Sequence, residues 1–219
     1  MNDHQRSWNE RYLTQDTPWE IGIHHQEMQR LFADYIAMGA TVLDTGCGLG
    51  TNTQWLAQQG YKVTGIDISA AAIEKADHHA RQRGLAIQYQ TLDFLHEWEK
   101  LNRFNVVFDC AVFHLFKELE VRRKFVKAVS HVCDDHGYWI NISCSQDNAE
   151  QISAQTGVDA PPRISAREMI EVVEPEFEII EMRRCEFVIN RSGQGKAAFN
   201  AWGCVFKKRC DNSLMNPTL

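Results

Sequence analysis

The chain has 219 residues, 44% hydrophobic and 24% charged, which is enough for one large domain with a real core. Its formal net charge of −6 supplies no basic stripe for a phosphate backbone, and no apolar run approaches the roughly 20 residues that cross a bilayer, so neither nucleic acid nor membrane is an expected partner. The seven cysteines (47, 110, 133, 144, 185, 204, 210) are odd in number and form no CxxC pair, which fits free thiols in a reducing, cytoplasmic setting better than a disulfide framework or a zinc site.

Residues 1–40 read as an N-terminal helical extension; the polar start "MNDHQRSWNERY" resembles neither a secretory signal nor an Arg-rich transit peptide. From residue 41 onward, apolar runs of strand length alternate with stretches of helical period. "TVLD" (41–44) predicts a first strand, followed by a helix from Asn52 that stops at Gly60. "KVTGID" (62–67) predicts a second strand, and Ser69 caps an Ala-rich helix that Gly84 ends. "AIQYQTLD" (86–93) and "FNVVFD" (104–109) predict the third and fourth strands, the latter apolar enough to be covered on both faces. A helix over 118–132 and a strand "GYWINIS" (137–143) follow. Strand, helix and strand repeated in this way imply parallel strands with right-handed crossovers, an open α/β sheet with helices on both faces.

The pattern changes after Pro161–Pro162. Ser165 and Glu168 have the spacing of a capping box for a short helix to Val173. Two long strands, 177–189 and 197–208, are joined by the short "NRSGQG" and are expected to lie antiparallel. Residues 210–219 are expected to be disordered. One domain over 1–209 is expected, an α/β core at 41–209 with 1–40 as extension.

The chemistry centres on "VLDTGCGLGTNT" (42–53). Glycine permits positive φ and close backbone approach, and a loop of bare amides at a helix N-terminus attracts a ligand's charged end; such a turn can also be purely structural. The spacing is G-x-G-x-G after Asp44, not the G-x-G-x-x-G of dinucleotide folds. An acid beside the loop repels a pyrophosphate but welcomes an ammonium. Asp67 closes the next strand 17 residues after Gly50, where a carboxylate meets ribose hydroxyls. A ligand with an amino acid end, an adenosine end and no phosphate suits both facts, and S-adenosylmethionine has that composition.

From Thr41 through Arg209 the sequence resembles the class I S-adenosylmethionine-dependent methyltransferases, chiefly in "VLDTGCGLGTNT…VTGIDIS". The resemblance implies a Rossmann-like fold: a seven-stranded, mostly parallel sheet whose antiparallel last strand inserts beside the fifth. It also implies cofactor roles. Asp44, Gly46, Cys47, Gly48, Gly50 and Asn52 would hold the methionine moiety. Asp67 would take the ribose hydroxyls, Ile68 would pack on adenine, and Asp93 with Phe94 would meet the adenine amine, Asp93 having helix capping as its alternative role. Asp109 and Cys110 would line the methionine part, while Phe113 and His114 would reach the transferred methyl. S-adenosylhomocysteine would be the product.

"WNERYLTQDTPWEIG" (8–22) resembles the cofactor-covering segment of the thiopurine and thiol S-methyltransferases, with Trp8, Tyr12 and Trp19 in its aromatic layout; simple packing of the extension would use the same residues. "PPRISAREMI" and "AWGCVFKK" resemble later parts of that family. The family's Asp-Arg-Gly after the fourth strand is here Asp109-Cys110-Ala111, which removes the cation suited to a purine-like acceptor.

The expected partner is a small-molecule acceptor, a thiol or other soft nucleophile, near Trp19, Phe113 and His114. An O- or N-acceptor would need a base, and His114 is the candidate, with pocket shaping or a backbone bond as its other roles. A non-catalytic cofactor-binding regulator and a nicotinamide oxidoreductase are the readings from other classes. His24–His25 and His78–His79 point to different faces of a helix, and Asp147–Asn148 falls about four residues too late to share a metal with Asp109, so no metal is expected. The oligomeric state stays open between monomer and weak dimer.

Overall fold

The computed structural model describes residues 3–146, 162–191 and 195–210. Seven strands form one sheet: β1 (Thr41–Thr45), β2 (Lys62–Asp67), β3 (Gln88–Thr91), β4 (Phe104–Cys110), β5 (Cys133–Cys144), β6 (Phe177–Arg191) and β7 (Gly195–Lys208). Their order is β3-β2-β1-β4-β5-β7-β6. The first five run parallel, and β7 inserts antiparallel between β5 and β6. This is the Rossmann-like, mostly parallel sheet expected from the sequence.

Helices cover both faces. α1 (Asp3–Leu13) and α2 (Gln26–Tyr35) build the extension, and α3 (Thr51–Gln58) and α4 (Ala70–Gln82) are the crossovers around β2. α5 (Phe94–Glu97), α6 (Leu119–Val132) and α7 (Ala166–Val173) follow. Fully buried Met28, Leu31 and Phe32 of α2 pack with Leu56 against Val42, Phe108 and Ile140. On the opposite face Phe125 and Val129 of α6 and Met169 of α7 pack with Trp139 and Phe177. Alternate residues of β4 and β5 feed the two cores, which is why both strands read as continuous apolar runs.

Local signals explain most boundaries. The Ser69 hydroxyl accepts from the Ala72 amide and starts α4, and Ser165 with Glu168 forms the reciprocal capping box of α7. Gly60, at φ 89°, turns the chain from α3 into β2. Two expectations need correction. The third strand is only Gln88–Thr91, because the edge position leaves it one partner, β2. The fifth strand begins at Cys133 instead of residue 137: Cys133 pairs with Phe104, then an irregularity and the positive φ of His136 reset the register at Tyr138. Asp147–Asn148, Pro161, the middle of the hairpin link and all of the expected disordered tail except Cys210 lie outside the described residues.

Candidate active site

Parallel strands present their C-terminal ends on one rim, and the strand order reverses between β1 and β4, leaving a crevice there. A cavity of about 810 Å³ opens at this point, large enough for a nucleoside-sized ligand and a second small molecule. Its wall carries Thr45 and Gly46 after β1, Asp67 and Ile68 after β2, Asp93 and Phe94 after β3, and Cys110 after β4. Trp8, Tyr12 and Trp19 of the extension close one side, and Phe187 and Ile189 of β6 close another.

The glycine loop is tighter than a ligand alone requires. Gly46 and Gly48 have φ of 67° and 55°, the left-handed region that side chains strain to adopt. A Cβ on Gly46 would overlap Val112 Cγ2, and one on Gly48 would overlap Glu20 Oε1 and sit 2.8 Å from the Tyr12 hydroxyl. The missing side chains therefore make room for this protein's own Val112, Glu20 and Tyr12, the structural role that such a turn can also have. Gly50 serves as the N-cap of α3.

Four carboxylates gather around this loop. Asp67 accepts from the amides of Gly48 at 3.0 Å and Ser69 at 2.8 Å. Asp44 accepts from the Thr53 hydroxyl at 2.5 Å. Asp109 accepts from the amides of Val112 and Phe113 through one oxygen and from Asn141 Nδ2 through the other. Glu20 accepts from the Leu49 amide at 3.0 Å. No cation pairs with any of them among the described residues. Burial pushes Asp44 and Asp109 up to about 7 and Asp67 up to about 6, and it raises Glu20 as well. The Cys47 thiol, fully buried beside Asp44 and Asp67, is pushed well above its ordinary value by burial first and those charges second. Buried acids with no cationic partner among the described residues suit a positively charged ligand, which would meet Asp67, the one of the four in the cavity wall.

The extension is pinned to the core at several points. Asn9 Oδ1 accepts from the Ala71 amide and the Ser69 hydroxyl, seating α1 on the start of α4. Trp19 Nε1 donates to the Tyr12 hydroxyl at 3.2 Å, and Trp8 meets Trp19 edge to face with centroids 5.5 Å apart. The Arg11 guanidinium lies 4.3 Å over the Trp19 ring. From the other side the Asn190 amide donates to Pro18 O at 2.7 Å and its Nδ2 to Glu20 O at 3.2 Å, so β6 holds down the segment 17–20.

Several expected site residues lie elsewhere. Asn52 faces away from the cavity and accepts from the His25 amide, tying the extension to α3. Asp44, Cys47 and Asp109 lie behind the wall, where they shape the loops in front of them. Phe113 is fully buried against Phe125 and Trp139, because the 3-10 turn 113–115 points it into the core and leaves Phe116 in the wall. His114 makes the backbone bond that was one of its expected alternatives. Its Nδ1 accepts from the Cys144 amide at 3.0 Å, which leaves the proton of the neutral ring on Nε2. Burial, with the field of Arg122, pulls its pKa down to about 3. In this tautomer the ring's open nitrogen donates a proton to a hydrogen bond and does not accept one. Glu20, Arg11, Phe187 and Ile189 were not anticipated.

Residues 42–137 match the family model of a methyltransferase domain. The 2-heptyl-1-hydroxyquinolin-4(1H)-one methyltransferase of Mycobacteroides abscessus is 24% identical over 177 residues, 80% of this chain and 75% of that protein. Against several other curated methyltransferases the match spans less than two thirds of their length. The structure reported as "Conversion of a Disulfide Bond into a Thioacetal Group during Echinomycin Biosynthesis" superposes with a TM-score of 0.79 at 25% identity, covering 90% of this chain and 87% of that one. N-methyltransferase NodS from Bradyrhizobium japonicum, solved with S-adenosyl-L-homocysteine, gives a TM-score of 0.69 at 17% identity, covering 95% of this chain and all of its own. The chain thus has the Rossmann-like fold of the class I methyltransferases, and its residues 42–137 match a methyltransferase domain.

Proposed function

We propose that the protein transfers a methyl group from S-adenosylmethionine to a small, largely apolar acceptor bearing a soft nucleophile such as a thiol. The observation that carries this reading is the junction, in one cavity, of an acidic, cation-seeking end with a greasy end under an aromatic strap. The cofactor supplies a methyl carbon already activated on a sulfonium. Asp67, with its carboxylate in the wall, takes the ribose hydroxyls, and Ile68 and Phe94 flank the adenine. Asp93 gives one oxygen to His96 at 3.0 Å and has the other for the adenine amine. Gly46 and Cys110 border the methionine end, while Asp44 and Asp109 contribute charge from behind it and hold the loops in shape.

Trp8, Tyr12 and Trp19 exclude water over the bound pair, which strengthens every charge interaction beneath them. Alignment of acceptor and donor in this dry space supplies most of the acceleration a displacement on an activated methyl needs. The relatives' names support the apolar acceptor: a hydroxyquinolone is flat and greasy, and the thioacetal structure concerns sulfur chemistry. The test is calorimetry with S-adenosylhomocysteine, followed by a screen for its release with small acceptors, thiols first. We expect binding that Asp67→Asn weakens at least tenfold. Absence of uptake of both S-adenosylmethionine and S-adenosylhomocysteine would falsify the reading.

A further inference from the structure

The apolar end of the cavity contains a well-defined polar hydrogen, that of His114. Ala111 adopts a φ of 68°, unusual for a residue with a side chain, and its amide donates to Ile142 O at 2.8 Å. This kink swings the chain so that His114 enters the wall while remaining 1% exposed. The Cys144 amide occupies Nδ1, and no described residue accepts from Nε2. Val112, Leu115, Phe116, Phe187 and Ile189 surround this end, with the Phe187 ring edge-on to the imidazole at 6.4 Å.

Among the described residues, the charged groups and thiols named next, packed around this ring, offer no site for a proton from a bound molecule. Arg122 holds Phe116 O at 2.7 Å and Glu168 at 3.3 Å, and it is a cation. Asp109 is turned onto two amides and Asn141. The Cys110 and Cys144 thiols are kept protonated by burial.

We propose that His114 is a fixed hydrogen-bond donor whose Nε2–H holds the acceptor, and that the chamber takes nucleophiles which arrive already ionised, thiolates and acidic aryl or N-hydroxyl oxyanions. This rests on the methyl-transfer reading above. The acceptor's lone pair forms the new bond to the methyl carbon as the carbon–sulfur bond breaks, and that electron pair goes to sulfur, which becomes a neutral thioether. An anion and a sulfonium give two neutral products, and no proton is left for the protein to receive. A neutral alcohol or aliphatic amine would have to lose a proton here, and none of the described groups named above accepts it. The His114 donor also fixes which atom of a flat, greasy molecule faces the methyl.

The probes are 4-nitrothiophenol and 4-nitrophenol, with benzyl alcohol as the neutral counterpart. In the complex with S-adenosylhomocysteine, calorimetry should find both anions bound, and His114→Phe should weaken them roughly 10- to 100-fold. His114→Gln, which can accept from the Cys144 amide and donate forward, should restore most of that loss. With S-adenosylmethionine present, kcat/KM should rise with pH only as the probe itself ionises, and benzyl alcohol should not react. Nitrogen-15 spectra should show the His114 ring, identified by its absence in His114→Gln, as the Nε2–H form without titration from pH 5.5 to 9. Titration of His114 in that range, equal binding by His114→Phe, or failure of both anions to bind would each overturn the assignment. Failure of S-adenosylhomocysteine to bind strikes the underlying reading instead, and the ring spectrum still decides the histidine's form.

Discussion

Gly48 reports on whether the strap is seated on the glycine loop. Replacing it with alanine forces a side chain into the left-handed region at φ 55°, which costs about 1–2 kcal/mol. The new methyl also overlaps the Glu20 carboxylate and crowds the Tyr12 hydroxyl, adding about 1–3 kcal/mol. The sum, about 2–5 kcal/mol, lowers Tm by roughly 4–20 °C for a domain of this size. Glu20→Ala alone removes the acceptor of the Leu49 amide. In the double variant the overlap with Glu20 is gone, while the backbone strain and the crowding of the Tyr12 hydroxyl persist. Urea unfolding of the four proteins should therefore show a coupling of about 1–3 kcal/mol. Additive effects, within about 0.5 kcal/mol, would mean that Glu20 does not lie on the loop and that the strap is not docked as described.

Binding of S-adenosylmethionine should expel protons, because its positive charge favours the ionised form of acids that burial holds near 6 to 7. At pH 6.5 calorimetry in buffers of different ionisation enthalpy should count about one to two protons released, falling toward zero by pH 8.5; an enthalpy that ignores the buffer refutes this. The same acids set the pH dependence of the ligand-free fold. A carboxylate raised in the folded state stabilises it below the unfolded pKa and loses that contribution as pH climbs through the folded value. Asp67, raised from 3.8 to about 6, should therefore withdraw up to about 3 kcal/mol between pH 4 and 6. A flat urea midpoint across pH 4.5–7.5 would contradict it. Ser165→Ala should destabilise by about 1 kcal/mol through loss of the α7 cap, seen as a small drop in Tm with unchanged S-adenosylhomocysteine affinity.

The parallel α/β sheet, the terminal antiparallel hairpin and the loop crevice were legible because each rests on local pattern: apolar runs, caps, and a glycine loop followed at fixed spacing by Asp67; the insertion of β7 beside β5 came only as what the family resemblance implied. Four site features were not legible, because each depends on a distant contact or on a backbone conformation. The tautomer of His114 is set by a backbone amide 30 residues later, and amides carry no signature in a sequence. Whether Phe113 or Phe116 faces the cavity depends on the kink at Ala111, an alanine in a conformation that its identity does not advertise. Glu20 looked like one more surface acid until the fold brought it onto Leu49, 29 residues away. Phe187 and Ile189 read as ordinary strand residues, and their place in the wall follows only from how far β6 extends beyond β5.

That overhang has a consequence for how the wall of the cavity is held together. β6 and β7 pair from Phe177–Lys208 out to Arg191–Gly195, whereas β7 contacts β5 only from Ala201 onward. The arm beyond β5 reaches back to clasp Pro18 and Glu20. The extension is thus gripped twice, by the loops after β1 and β2 through Glu20 and Asn9 and by the hairpin arm through Asn190. Loosening the β6–β7 arm therefore loosens one of the two grips on a segment 170 residues away in the chain.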